Sequence, residues 1–199
     1  MSITTSATPH LFWITSRAAG IVALVLASLG VCLGLLMALK LFKGRRPDML
    51  VLHEILSLTT IGAILIHGLS LLGDRYLHPS LADIAIPFVS GYQTVWTSLG
   101  IIAGWGLALL GLSYYLRRYI GAERWRSLHR LTVVVWLAGL VHALGEGTDA
   151  GQVWFLAMIA IVVVPATALA LVRYFTDEQP KPAASRRTVP TGGPPTFAD

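Results

Sequence analysis

The 199-residue chain has one cysteine, few charges and few carboxylates inside its apolar runs, and each shortage excludes something. A lone Cys32, set in an apolar run, rules out a disulfide framework or a thiolate cluster within the chain. With no C-x-x-C-H anywhere, a covalently attached c-type haem is excluded too, and Cys32 reads as small core filler. Charged residues make up 13% of the chain, against about 25% in soluble domains, while 55% is hydrophobic. That balance belongs to an integral membrane protein. No G-x-G-x-x-G follows a strand-like run, so a nicotinamide-binding unit is not expected. The N-terminus has neither the basic region nor the small-residue cleavage site of a removable signal peptide.

What the chain does have is long apolar stretches. Five are long enough to cross a hydrocarbon core, which takes about 20 helical residues: 13–39, 50–73, 93–116, 128–145 and 151–172. Pro165 is expected to kink the last span rather than end it. The sequence therefore predicts an all-α integral membrane bundle of about five helices. It divides into an outer N-terminal segment at 1–11, a membrane domain at 12–175 and a tail at 176–199. The tail is rich in Pro, Thr, Ser and Gly and is expected to be disordered.

Basic residues set the expected orientation. Lys40, Lys43, Arg45 and Arg46 lie between spans one and two, and Arg117, Arg118, Arg124, Arg126 and Arg130 lie between spans three and four. The tail adds Arg173, Lys181, Arg186 and Arg187, so thirteen of the fifteen Lys and Arg fall on one side. The opposite connections carry Asp74, Asp83, Glu146 and Asp149. Five spans then place the N-terminus outside and the C-terminus in the cytoplasm, in a multi-pass plasma-membrane protein bathed by lipid. The net charge of +5 is a consequence of topology, and nucleic acid is not an expected partner.

Four histidines interrupt the apolar spans. "HEILSLTTIGAILIH" places His53 and His67 fourteen residues apart, and "SLHRLTVVVWLAGLVHALGEG" places His129 and His142 thirteen apart. Spans two and four run in the same direction, so each offers one histidine near its inner end and one near its outer end. Within a span the two are separated by about 20 Å at 1.5 Å per residue. A flat macrocycle whose iron takes two axial nitrogens fits between facing histidines at each depth, and two b-type haems stacked across the membrane would form an electron relay. Fourteen residues at about 100° return to within about 40° of the same face, but thirteen leave His142 about 140° from the face of His129. A local tightening of that helix, or haems at different azimuths, is required. Other roles for these histidines are hydrogen bonds between helices or a haem-free metal or proton pathway. A pathway would usually add embedded carboxylates, and only Glu54 lies within a span. His10 and His78 lie in outer connections and read as solvated.

The run "RWRSLHRL" leading to His142, together with "HEILSLTTIGAILIH", resembles the ferric reductase-like transmembrane domain. That superfamily includes ferric reductases, the membrane core of NADPH oxidases and the haem-binding membrane subunit of bacterial methionine-sulfoxide reductase systems. "WITSRAAGIVALVLASLGVCLGLL" is similar to the opening of bacterial members that consist of this domain alone. The likeness covers residues 12–172. It implies two haem b groups: the inner iron held by His53 and His129, the outer by His67 and His142. Family members commonly have six spans, and a counterpart of their first is missing here. The flavin and nicotinamide domain of the oxidases is missing as well. The expected electron donor is therefore another protein, a quinol or a loosely bound flavin, with an acceptor protein on the outside. The alternatives are a non-catalytic haem-bearing anchor of a larger reductase and a haem-free histidine-lined transporter.

Other residues carry secondary expectations. Arg17, near the outer end of span one, is a candidate partner for outer-haem propionates or else snorkels to the interface. Arg126 and Arg130 are inner counterparts that also serve as topology-setting charges. Trp136, midway between His129 and His142, reads as core packing before haem packing. Glu54 is a candidate acceptor for an imidazole N–H. "GIIAGWGLALLG" in span three contains G-x-x-x-G, which permits close helix packing.

Overall fold

The computed structural model describes residues 8–41 and 45–177. The first seven residues of the N-terminal segment, Lys43, and the tail from 178 onward lie outside the described residues. Among those described, every regular element is helical. In chain order they are α1 (Thr8–Ala38), α2 (Arg46–Leu71), α3 (Leu81–Ala85), α4 (Thr94–Leu112), a 3₁₀ turn (Ser113–Leu116), α5 (Arg117–Ile120), α6 (Ala122–His129), α7 (Thr132–Glu146) and α8 (Val153–Asp177).

Five helical stretches are long and apolar enough to cross a membrane: His10–Ala38, Pro47–Leu71, Thr94–Ile120, Ala122–Glu146 and Val153–Thr176. They reproduce the five expected spans with small shifts at the ends. Pro47 stands just inside the start of α2, where its missing N–H leaves no bond unmade, and Asp48 in the same turn faces the positive end of the helix dipole. α8 runs unbroken through Pro165. Between spans two and three, Ser80 accepts from the Asp83 N–H while the Asp83 carboxylate accepts from the Ser80 N–H and hydroxyl. This reciprocal cap starts the short α3.

α1 is the hub: it packs along α2 on one side and α8 on another, and also meets α7. α4 packs along α7. α2, which carries His53 and His67, and the α6–α7 span, which carries His129 and His142, are each held by a different neighbour rather than by each other. The core sits where α1, α7 and α8 converge on Trp136, which is 1% exposed, with Ala27, Val31, Val163 and Ala166 around it. The Trp136 indole N–H donates to Ser28 Oγ at 3.0 Å, and the Ser28 hydroxyl donates to the Leu24 carbonyl at 2.7 Å. A polar bond across two helices at this depth fixes their rotation about their own axes. The outward faces remain apolar, with Leu65, Leu69, Leu109, Ile161 and Val164 all exposed, which is compatible with a membrane-spanning bundle.

The fourth span is two helices. α6 ends at His129, Arg130 and Leu131 form a turn, and α7 starts at Thr132. Their φ/ψ values of −62/−26 and −64/−15 are those of a 3₁₀ turn. The bonds from Leu131 N–H to Leu128 O and from Val133 N–H to Arg130 O likewise span three residues rather than four. Tightening to about 120° per residue supplies part of the rotation that thirteen residues of uniform α-helix would lack.

Candidate paired-histidine site

The four membrane histidines meet in two pairs. The ring centroids of His53 and His129 are 6.1 Å apart with their planes at 84°, and those of His67 and His142 are 6.2 Å apart at 71°. His53 and His67 lie on one uninterrupted helix, so the pairs stand about 21 Å apart along α2. Among the described residues, no three His, Cys, Asp or Glu side chains converge on a point where they could share a metal ion. The arrangement is one of pairs. Closed sites for a bare transition metal instead gather about four ligands.

Backbone carbonyls of a neighbouring antiparallel helix orient the rings. The His67 Nδ1–H donates to the Ser16 carbonyl at 2.8 Å, with Ser16 Oγ at 3.1 Å, while the Ser16 hydroxyl donates to the His67 carbonyl. The His142 Nδ1–H donates to the Trp96 carbonyl at 2.9 Å. A carbonyl only accepts, so Nδ1 carries a proton, and in the neutral imidazole the lone pair is then on Nε2. This is how metal-binding histidines are commonly held. In the other pair, His53 faces the Gly30 carbonyl and His129 the Leu110 carbonyl. Neither Nδ1 there reaches full hydrogen-bond geometry.

A repeating pattern in α1 and α4 makes those carbonyls reachable. A helical side chain leans toward the N-terminus and covers the turn before it, so the carbonyl of residue i is shielded by the side chain at i+4. Beyond Ser16, Gly30 and Trp96 that residue is Gly20, Gly34 and Gly100 in turn. A Cβ on Gly20 would stand 2.9 Å from His67 Nδ1, one on Gly34 3.2 Å from His53 Cε1, and one on Gly100 2.6 Å from His142 Nδ1. Gly20 and Gly34 are fourteen residues apart, matching His53 and His67 on the partner helix. At the fourth histidine the i+4 residue is Tyr114, and the support there is aromatic instead. His129 stacks on Trp125 at 5.0 Å and 21°, and Trp125 meets the edge of Tyr114 at 5.7 Å.

The expected secondary residues are placed as follows. Glu54 is exposed and accepts from the Tyr115 hydroxyl at 2.5 Å, so its carboxylate serves Tyr115 rather than an imidazole. The carboxylate beside a histidine is Glu146: Oε2 lies 3.2 Å from His142 Nδ1, out of hydrogen-bond alignment, and Oε1 accepts from Thr97. Arg17 makes a two-pronged ion pair with Asp149 in the α7–α8 connection and lies over the Trp13 ring. It thereby ties the N-terminal part of α1 to the connection between the fourth and fifth spans, one residue from the Ser16 carbonyl that holds His67. Arg130 is exposed in the turn directly after His129, and Arg126 is exposed on α6. Trp136 is core, as expected. In span three, Gly100 faces His142 while Gly104 faces Ile64 and Gly106 faces Val135, so the glycine-rich run serves both histidine access and packing. His10 and His78 are exposed.

Comparison with protein-family models, curated proteins and solved structures returned no match. The residues themselves bear on whether a bis-histidine group fits. Two in-line metal–nitrogen bonds of about 2 Å, plus about 1 Å from each nitrogen to its ring centre, put trans imidazoles about 6 Å apart centre to centre. Both pairs have that separation. Each lies between helices that are not packed on one another, and the His67–His142 pair has its Nε2 atoms free of hydrogen bonds. The residues fit.

Proposed function

We propose that this chain is a membrane electron-transfer protein holding two b-type haems, the inner on His53 and His129 and the outer on His67 and His142. It would act as a ferric reductase-like oxidoreductase or as the haem subunit of one, in line with the domain its histidine pattern resembles. The observation that carries this reading is the pair of imidazole pairs, each about 6 Å between centroids, at two levels on α2 and the α6–α7 span.

When bound, the haem iron supplies one-electron transfer at each level. The chain does the rest. Ser16 and Trp96 hold protons on the Nδ1 atoms of His67 and His142, which commits Nε2 to ligation and makes each imidazole a better donor. Trp125 holds the plane of His129 by stacking. Gly20, Gly34 and Gly100 let the rings come close to the neighbouring backbone. The Arg17–Asp149 pair keeps the outer ends of three spans together. The basic connections are read as cytoplasmic, so electrons from an acidic donor protein or a quinol would arrive at the His53–His129 level. They would leave by the His67–His142 level toward an outside acceptor.

A reduced-minus-oxidised absorption spectrum of the purified chain tests this reading. The expected result is the sharp α-band of a six-coordinate, low-spin b haem. A folded preparation without haem would instead favour a histidine-lined transporter.

A further inference from the structure

At the basic end of the bundle a groove of about 360 Å³ opens between the end of the third span and the start of the fourth, lined by Tyr115, Arg117, Arg118, Gly121 and Ala122. We infer that this groove binds the phosphate of an anionic phospholipid headgroup. The inference does not depend on the haem reading.

Charge carries the argument first. Arg117 lies over the Tyr114 ring at 3.8 Å and donates to the Tyr114 carbonyl. Arg118 lies over the Tyr119 ring at 4.5 Å and donates to its hydroxyl. Neither guanidinium pairs with a carboxylate among the described residues, and no acidic side chain lines the groove. Glu54 is engaged by the Tyr115 hydroxyl at the groove wall. Two adjacent cations are thus held in place by aromatic rings with no counter-charge. A phosphate would supply that counter-charge, and guanidinium forks match phosphate oxygens.

Depth selects the source of the phosphate. The groove begins where the apolar run of α4 ends, among Tyr114, Tyr115, Tyr119 and Trp125. Such a cluster of amphipathic rings marks the level of lipid headgroups. Its outer wall is exposed, with Tyr115, Leu116 and Tyr119 uncovered on the lipid side, so acyl chains can run down the apolar face of the third span. Basic pockets between spans at this level take lipid head groups.

The test uses the full chain in nanodiscs of phosphatidylcholine with or without phosphatidylglycerol, followed by detergent extraction and mass spectrometry of the lipid retained. The double variant Arg117→Gln/Arg118→Gln is compared with Arg124→Gln/Arg126→Gln, which removes the same charge nearby without touching the groove. The expected result is retained phosphatidylglycerol on wild type, little phosphatidylcholine, and a loss of at least fivefold in the first variant but not the second. Equal losses in both variants would overturn the inference in favour of diffuse surface charge. Retention on wild type that shows no preference for the anionic lipid would overturn it outright. Millimolar inorganic phosphate is added to wild type as a third arm. Full displacement of the lipid by it would show that the groove takes free phosphate and not a headgroup. Because two of the three comparisons are made on wild type, misfolding of a variant does not spare the inference.

Discussion

Adding one methyl group to each glycine that faces a histidine should separate the site from ordinary packing. An ideal Cβ on Gly100 would stand 2.6 Å from His142 Nδ1, one on Gly20 2.9 Å from His67 Nδ1, and one on Gly34 3.2 Å from the His53 ring. Comfortable contact is about 3.5 Å or more, so the overlaps are about 0.9, 0.6 and 0.3 Å. His142 cannot retreat from Gly100 without giving up its 2.9 Å bond to the Trp96 carbonyl. Overpacking of this kind costs about 1–3 kcal/mol, and alanine returns up to about 1 kcal/mol through its better helix preference. Gly100→Ala should therefore lose about 1–2 kcal/mol, Gly20→Ala less, and Gly34→Ala close to nothing. Gly62→Ala is the control, with open space at its Cβ position, and should be neutral or stabilising by about 0.5–1 kcal/mol. The assay is thermal unfolding in detergent together with a redox titration that resolves the two proposed haems. Gly100→Ala and Gly20→Ala should deplete the haem proposed at His67 and His142 and leave the one proposed at His53 and His129. The reasoning fails if Gly100→Ala matches Gly62→Ala in both measurements, or if it depletes both haems alike.

Trp136→Ala removes the centre of the core and should cost about 3–5 kcal/mol by chemical unfolding, whereas Trp136→Phe, which loses the bond to Ser28 and part of the indole volume, should cost less, about 1–3 kcal/mol. Asp149→Asn should loosen the acidic ends of α1 and α7, seen as faster hydrogen exchange there, with no change at the basic end. The hydroxyl and N–H of Ser80 hold the Asp83 carboxyl below the usual carboxylate range. A lowered folded pKa contributes stability that is present above the unfolded value and lost as pH falls through the folded one, so α3 should fray only in acid below the usual carboxylate range, and Ser80→Ala should shift that fraying to higher pH. Purified 199-residue chain should not oxidise NADPH with or without ferric iron, and robust oxidation would overturn the expectation of a separate donor.

Much of the fold was legible because hydrocarbon imposes one rule everywhere: about 20 apolar residues per crossing, with charges at the ends. That rule located all five spans and the side on which the basic connections gather. The pairing levels of the histidines were legible for the same reason, since a helix converts spacing into depth. The azimuth was not. Thirteen residues conflict with a straight helix, and nothing in "LHRLTVV" announces the 3₁₀ turn at Arg130 and Leu131 that breaks it. Glu54 was the visible carboxylate near a histidine in sequence, yet in space it meets Tyr115, and Glu146 stands beside His142 one turn along the helix. Asp149 as the partner of Arg17 depends on a contact 132 residues away, beyond any local pattern. One signal was present and readable: Gly20 and Gly34 repeat the fourteen-residue interval of His53 and His67, as they must if two antiparallel helices keep one register.

Haem content per chain, measured by pyridine haemochrome on wild type and the four single histidine-to-alanine variants, tests the central claim most directly. The account predicts two haem b in wild type and one in each variant. His53→Ala and His129→Ala should lose the same redox species, and His67→Ala and His142→Ala the other. A folded wild-type chain without haem, or loss of different species from His53→Ala and His129→Ala, would contradict it.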